Sequence, residues 1–430
     1  MGNVPSSQRE AKGKAKAKEE VAMSKVFSLP EDIQVDILVR LPVNSILICK
    51  WVCKPWRNLI RTRKFIQYHL NFSIQKNNRR LIVRSLNGQS NSKPNIYSID
   101  YGLLSSSASN SLELDDVWQE AFQMDYPFQC NAVKRVWILG SCNGLICLGI
   151  SSNGRSEFDE DSRMYVWNPT TREYKKIPIL LNDLIYDLND NFYNVRFGFG
   201  YDSNTDDYKV VRIDDYASSR HYQADVYSLA SGVWKTIPTI PYSFRNTNRG
   251  VLFNGALHWL GGSTNKKTAP DVIISFDVSK EILIHVPFPK ETMQRPMCKE
   301  LGVLADCLCL YLGNELRTEV WVMLDYGVRE TWSKRFTFTR DSFPGYVYPN
   351  PIWSLGNGEI VVVTNSGLIL YDRQNGIVRD LNVYSQADDM CDFSTKISHH
   401  MSYVQTLVSL GTGCYVGKTN RIQNGHIWSY

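Results

Sequence analysis

The sequence predicts a multidomain chain: a small all-α bundle of short helices, followed by an all-β, propeller-like domain of six blades with room for a seventh. Three observations carry that prediction. Between Phe27 and Trp56, apolar residues recur at helical spacing and are punctuated by prolines. Beyond about Asn78 this periodicity gives way to short runs rich in β-branched and aromatic residues, bounded by Asn, Asp, Gly and Ser. Within that second region a strand-like landmark returns at intervals of 47 to 60 residues, the period of four-stranded blades.

The helices come first. Ser28 and Glu31 are spaced as a capping box, with Pro30 in the first turn where its missing N–H costs nothing. Ile33, Ile37, Leu38 and Leu41 then form one apolar stripe opposite Glu31, Gln34 and Arg40, and Pro42 ends the helix. A second stripe of Val43, Ile46, Leu47, Trp51 and Val52 is broken by Pro55, ahead of Trp56, Leu59 and Ile60. The expected organisation is a disordered basic leader over 1–22, the helical module over 23–70, a linker over 71–80, the β domain over 81–410 and a flexible tail over 411–430. A module this short sits below the roughly 60 residues at which a domain becomes self-sufficient, so a partner is expected.

Charge supports a partner. The chain carries a formal net charge of +5, yet no Asp or Glu occurs between Asp36 and Asp100, a stretch holding twelve Lys and Arg; the remainder is therefore at −7 (5 − 12). Such a segment meets either nucleic acid or an acidic protein surface. Amphipathic helices without a zinc finger, RNP-like aromatics or a recognition-helix frame favour protein over nucleic acid.

The blades follow. The landmark recurs as Tyr165-Val166-Trp167-Asn168, Val226-Tyr227-Ser228, Ile274-Ser275-Phe276-Asp277, Val322-Met323-Leu324-Asp325 and Ile369-Leu370-Tyr371-Asp372. A second strand follows most of them, at Glu173 to Pro178, Val233 to Pro238, Ile282 to Pro287 and Trp332 to Lys334. Asn143-Gly144, Asn254-Gly255 and Asn357-Gly358 mark hairpin turns ahead of three. One four-stranded sheet cannot cover both its faces, whereas stacked blades can. The run Tyr403 to Val408 is expected to complete a blade begun near the start of the β domain.

At these residues the chain resembles a known family. Leu29-Pro30-Glu31-Asp32, Ile37-Leu38, Arg40-Leu41-Pro42 and Val52-Cys53-Lys54-Pro55-Trp56-Arg57 are similar to the F-box frame. Cys142 to Cys147, Trp167-Asn168-Pro169-Thr170-Thr171, Phe197-Gly198-Phe199-Gly200-Tyr201-Asp202, Asp207 to Val211 and Leu257-His258-Trp259 resemble the F-box-associated, kelch-like domain of plant proteins, although the paired glycines of kelch repeats are missing from most repeats. The resemblance extends to pollen S-locus F-box proteins. It implies the substrate-recognition subunit of a Skp–cullin–F-box ubiquitin ligase, without catalysis of its own. A Skp-type adaptor, and through it cullin, would dock on Leu29, Pro30, Ile33, Ile37, Leu41, Pro42, Val52, Cys53 and Trp56. The β domain would hold a target protein. A second reading is a glycan-binding or structural propeller whose F-box serves its own turnover.

Enzyme chemistry is not indicated. There is no nucleophile elbow, P-loop or HExxH. Gly198 and Gly200 read as turn or bulge positions, Asp206-Asp207 and Asp214-Asp215 as solvated loop charge, and His399-His400 as a surface pair without a third ligand. Ten scattered cysteines show no zinc spacing, so no metal or other cofactor is expected. Without a secretory signal or a membrane-length apolar run, the expected location is the cytoplasm, the nucleus or both, with reduced thiols. Gly2 in MGNVPSS, with Ser6, fits a myristoylation frame; a membrane-associated pool is expected only if Gly2 is acylated, the alternatives being a solvated leader or a start at Met23. For target contacts the segment Arg340 to Trp353 stands out, through Phe343, Tyr346, Tyr348 and Trp353.

Overall fold

The computed structural model describes residues 29–86, 94–100, 121–127, 135–151, 163–178, 195–216, 221–240, 242–244, 249–263, 271–290, 292, 296–339, 350–354, 358–364, 367–380 and 396–416. Two compact units meet in the sequence at Asn77 and Asn78. Gly2, Ser28, Phe343, Tyr346 and Tyr348 lie outside the described residues.

The first unit holds α1 (Glu31–Val39), α2 (Val43–Cys49), α3 (Lys54–Arg61) and α4 (Arg63–Gln75). Pro30 and Pro42 are the N-caps of α1 and α2, both with extended backbone. A proline there fixes φ without removing an intrahelical donor, so each Pro starts a helix as well as ending what precedes it. Pro30 thus stands two positions earlier in the helix than a Ser28 cap would place it, and among the described residues no side chain caps α1. Leu38, Val39, Val43, Ile46, Ile60, Phe65 and Leu70 form the core of the unit. α4 continues to Gln75 and the first strand starts at Arg79. The connection is therefore 76–78, shorter than the expected 71–80.

The second unit is a six-bladed propeller. Its strands in chain order are β1 (Arg79–Leu86), β2 (Asn95–Asp100), β3 (Phe122–Gln123), β4 (Arg135–Cys142), β5 (Leu145–Ser151), β6 (Arg163–Trp167), β7 (Tyr174–Ile177), β8 (Val195–Asp202), β9 (Asp207–Tyr216), β10 (His221–Ser228), β11 (Trp234–Ile240), β12 (Tyr242–Phe244), β13 (Val251–Phe253), β14 (Ala256–Ser263), β15 (Val272–Asp277), β16 (Ile282–Val286), β17 (Cys298–Leu304), β18 (Cys307–Gly313), β19 (Arg317–Met323), β20 (Trp332–Thr339), β21 (Asn350–Ser354), β22 (Glu359–Thr364), β23 (Gly367–Asp372), β24 (Ile377–Asp380) and β25 (Lys396–Val404). Blade 1 is β25-β1-β2-β3, and β4–β7, β8–β11, β12–β16, β17–β20 and β21–β24 make blades 2 to 6. Among the described residues no strand is left for a seventh blade, because β25 pairs with β1.

All five landmarks lie in third strands or at their ends, and their followers start or form the fourth strands. Third strands repeat legibly because neighbouring blades cover both faces: Tyr165, Val166, Trp167, Ile273, Ile274 and Phe276 are all buried. Apolar clusters fill the spaces between successive blades, with Trp167 between blades 1 and 2 and Trp259 between blades 3 and 4. Gly198 and Gly200 sit mid-strand in β8, not at a turn or bulge. A Cβ on Gly198 would come within 2.6 Å of Leu257, and one on Gly200 within 2.8 Å of Val278. They are glycines because blade 4 packs onto them.

Successive strands are antiparallel, so first-to-second and third-to-fourth connections lie at one end of the barrel of blades. Tight turns with Asn143, Asp206, Asn254, Glu281 and Ala305 at positive φ stand at that end. The strand ends joined by the connections 152–162, 178–194, 340–349 and 381–395 lie at the opposite end. Asp207 and Asp214, expected as solvated charge, are 6% and 8% exposed. Asp207 accepts from Ser228 Oγ and from the Ala230 amide, and Asp214 pairs with Arg212.

Residues after β25 leave the sheet and strap onto blade 2. Asn168 Nδ2 donates to the Thr406 and Val408 carbonyls at 3.2 and 2.7 Å, while its Oδ1 accepts from Thr170 and Thr171 amides. Glu173, 2% exposed, accepts from Ser409 Oγ and from the Leu410 and Thr412 amides at 2.7, 2.8 and 2.8 Å. Residues 411–416, expected in a flexible tail, are instead fixed here, with Tyr174 N donating to Cys414 O and Val416 N to Arg172 O. Glu173→Ala removes three acceptor bonds from a buried clasp and is expected to lower stability by about 2–3 kcal/mol. A urea midpoint within error of the wild type would remove the clasp from the account.

His258 is buried between blades 4 and 5. Its Nδ1 lies 3.1 Å from the Val251 carbonyl and must donate to it, so Nε2 carries the lone pair that accepts from Tyr326 Oη at 2.7 Å. Tyr326 Oη in turn accepts from Ser275 Oγ at 3.2 Å. Burial pushes the imidazole pKa down to about 4. The folded value lies below the unfolded one, so this contribution is complete above the ordinary histidine pKa of about 6.5 and is lost as pH falls toward 4, at up to about 1.4 kcal/mol per pH unit. The unfolding midpoint is expected to drop between pH 7 and pH 5, and His258→Asn to flatten that drop; an equal slope in the variant would assign it to other groups.

Candidate docking surface of the helical unit

The unit is held together by side chains that the sequence marks for docking. Trp56 Nε1 donates to Gln34 Oε1 at 2.9 Å, and Gln34 Nε2 donates to the Leu29 carbonyl at 2.8 Å. This relay ties α3 to α1 and to the residue ahead of it. Cys53 caps α3, its Sγ accepting from the Trp56 amide at 3.5 Å. Thr62 caps α4 through the Phe65 amide and donates to the Leu59 carbonyl, which locks the corner between α3 and α4. His69, buried on α4, donates from Nε2 to the Leu41 carbonyl at 3.3 Å, and burial pushes its pKa down so that it stays neutral.

What remains outside is apolar to an unusual degree for so small a unit. Ile33 and Ile37 on α1 are 47% and 46% exposed; Ile48 at the end of α2, and Trp51 and Val52 in the following turn, are 68%, 77% and 46% exposed. The Arg57 guanidinium lies 5.4 Å from the Trp51 ring centroid, a cation–π contact that holds the indole in place. Burying a side chain of this size in a complex yields roughly 1.5–3 kcal/mol. A few of them suffice for a specific contact.

The nine expected docking residues divide into two groups. Pro30, Ile33, Ile37, Pro42 and Val52 are exposed. Leu29, Leu41, Cys53 and Trp56 are half-buried, and each takes part in the internal bonds just described. Ile48 and Trp51 were not expected. Helical spacing places Trp51 in the second apolar stripe, but α2 stops at Cys49 and Trp51 falls in a turn. Charge is segregated: Glu31, Asp32 and Asp36 all stand on α1, whereas Lys54, Arg57, Arg61, Arg63 and Lys64 lie exposed on α3 and α4 with no acid among them.

Residues 26–68 match the F-box domain family, and residues 88–410, most of the chain, match the F-box associated beta propeller domain. The chain belongs to the F-box proteins that carry this propeller. Similar proteins of Arabidopsis thaliana include the F-box protein CPR1, 29% identical over 381 residues covering 83% of this chain and 84% of CPR1. An F-box/kelch-repeat protein is 27% identical over 361 residues, covering 81% and 89%. A further F-box protein is 26% identical over 396 residues, covering 82% and 87%. F-box proteins are in general non-catalytic subunits, and the F-box implies binding of a Skp-type adaptor. F-box plus propeller is the plan of a substrate receptor. Among the described residues no helix is long and apolar enough to cross a membrane.

Proposed function

We propose that this F-box protein recruits one target protein to a Skp–cullin–F-box ubiquitin ligase, docking on the Skp-type adaptor through Ile33, Ile37, Ile48, Trp51 and Val52, with Pro30 and Pro42 at the margins. The observation that carries the reading is the exposure of these five large apolar side chains on a unit with a small core. Leu29, Leu41, Cys53 and Trp56 shape the surface from behind. The acid-free cations of α3 and α4 favour approach to an acidic adaptor, raising the association rate more than the final affinity. A receptor of this kind works in the cytoplasm or nucleus.

The propeller holds the target at the end that bears the long connections, where loops can vary without disturbing the blades. At the opposite end blades 2 to 5 join their first and second strands by tight turns, the connection between β2 and β3 being the long exception. Phe343, Tyr346 and Tyr348 belong to one long connection, 340–349, and Trp353 follows it in β21. Holding the target near the conjugating enzyme raises effective concentration; the F-box protein itself contributes no chemical step.

Two measurements test the two halves separately. Ile37→Arg and Trp51→Ala are expected each to weaken adaptor binding by about tenfold or more while leaving the melting temperature unchanged; adaptor binding equal to the wild type in both would move the docking surface elsewhere. Replacing 341–348 with a Gly-Ser segment is expected to keep adaptor binding and to remove the target from the proteins labelled by a proximity-labelling fusion. An unchanged labelled set would place target recognition outside this connection.

A further inference from the structure

The outer strand of each blade ends a sheet, and a strand edge with free backbone groups pairs with other chains unless it is guarded. Most outer strands here carry a guard. β7 has Lys175 and Lys176, and the protein's own Cys414–Val416 lies alongside its start, with an antiparallel bridge between Glu173 and Tyr415. β11 has Lys235 and Pro238, β20 has Lys334 and Arg335, and β24 has Arg379 and Asp380. β3 is only two residues long.

β16 differs. Its sequence, Ile-Leu-Ile-His-Val, contains neither a charged residue nor a proline. It ends its sheet, pairing with β15 on one side and with no described strand on the other. Ile282 and Ile284 are 47% and 46% exposed and, two residues apart, share a face. Ser275 stands opposite Ile284 in the β15–β16 register, and its hydroxyl lies 3.2 Å from that of Tyr326. This bond brings Tyr326, in the turn that follows β19, beside β15, and the same turn carries two more exposed apolar side chains, Leu324 and Val328, at 62% and 44%.

We propose that β16 is a docking edge for an extended segment of a partner protein with apolar residues at every second position. The segment pairs with the backbone groups on the edge of Ile282–Val286 that faces no described strand, and sets its apolar side chains against Ile282 and Ile284. Size selects this occupant over a second copy of the chain. Five residues of strand span about 17 Å, so the edge offers a few hundred Å² per partner, short of the roughly 800 Å² per side of a stable assembly. Charge selects an apolar segment, because the ions that flank β16 itself are already matched, Lys280 with Asp277, Glu281 with Lys209 and Lys235, and Lys290 with Glu330. The strap on β7 shows the same mode of edge occupation within this protein.

The test uses the full chain and a fluorescent peptide of about eight residues alternating threonine and valine, followed by anisotropy. Saturable binding is expected, weakened about tenfold or more by Ile284→Lys and by N-methylation of alternate peptide amides, and unaffected by Ile377→Lys on β24. A melting temperature equal to the wild type confirms that Ile284→Lys folds. The proposal is overturned by absence of saturation up to roughly millimolar peptide, by equal binding to Ile284→Lys, or by equal binding of a scrambled peptide with adjacent valines. Sedimentation that reveals a dimer dissolved by Ile284→Lys would also overturn it, giving the edge to a second copy.

Discussion

The pairing of β25 with β1 is the contact on which the propeller depends. A blade buries its faces only against neighbours, so blade 1 needs an inner strand, and the chain supplies it from nearly 400 residues in. The entropic cost of joining distant segments rises only with the logarithm of their separation, so a long ring is not much harder to close than a short one. The closure is then reinforced beyond the sheet. Asn168 and Glu173 bind the chain after β25 to blade 2, so the C-terminal segment spans two blades. Near the axis, Arg249 Nη1 donates to the Ile138 and His400 carbonyls, both at 3.4 Å, linking blades 1 and 2 to the segment entering β13.

The helical unit solves a different problem. It is too small to bury all its apolar side chains and must leave some outside, so its polar bonds decide which ones. The Trp56–Gln34 bond and the Cys53 cap consume side chains that hydrophobicity alone would assign to a partner, and the Leu29 and Leu41 carbonyls are tied down by Gln34 and His69. The apolar side chains left exposed are Ile33, Ile37, Ile48, Trp51 and Val52, with Tyr68 and Ile74 on α4.

The fold was largely legible where burial imposes a repeat. Third strands covered on both faces, the Asn-Gly turns and the proline-capped helices all leave local marks. Features set by distant contacts left none. Gly198 and Gly200 reveal their reason only when Leu257 and Val278 are seen against them. Asp207 reads as loop charge until Ser228 and the Ala230 amide, twenty-odd residues on, are found bonded to it. Residues 411–416 have a tail-like composition and are fixed by a carboxylate more than 230 positions earlier. In the docking unit, Trp51 was misassigned because a stripe continues across a helix end that the sequence does not announce. The aromatic residues at 343, 346 and 348 fall outside the described chain, so their part rests on sequence alone.

Exposed apolar side chains are ordinary on protein surfaces, and most of those on this propeller need no explanation. Context separates the informative ones. On the helical unit the signal is proportion, because seven exposed apolar side chains, five of them on or just after α1 and α2, rival the core that holds the helices together. On β16 the signal is a missing guard, visible only because the other outer strands are short, charged, proline-bearing or strapped. An unguarded edge carries a standing risk of unwanted pairing. Its persistence beside four guarded strands and one two-residue strand is a physical reason to treat β16 as a surface in use.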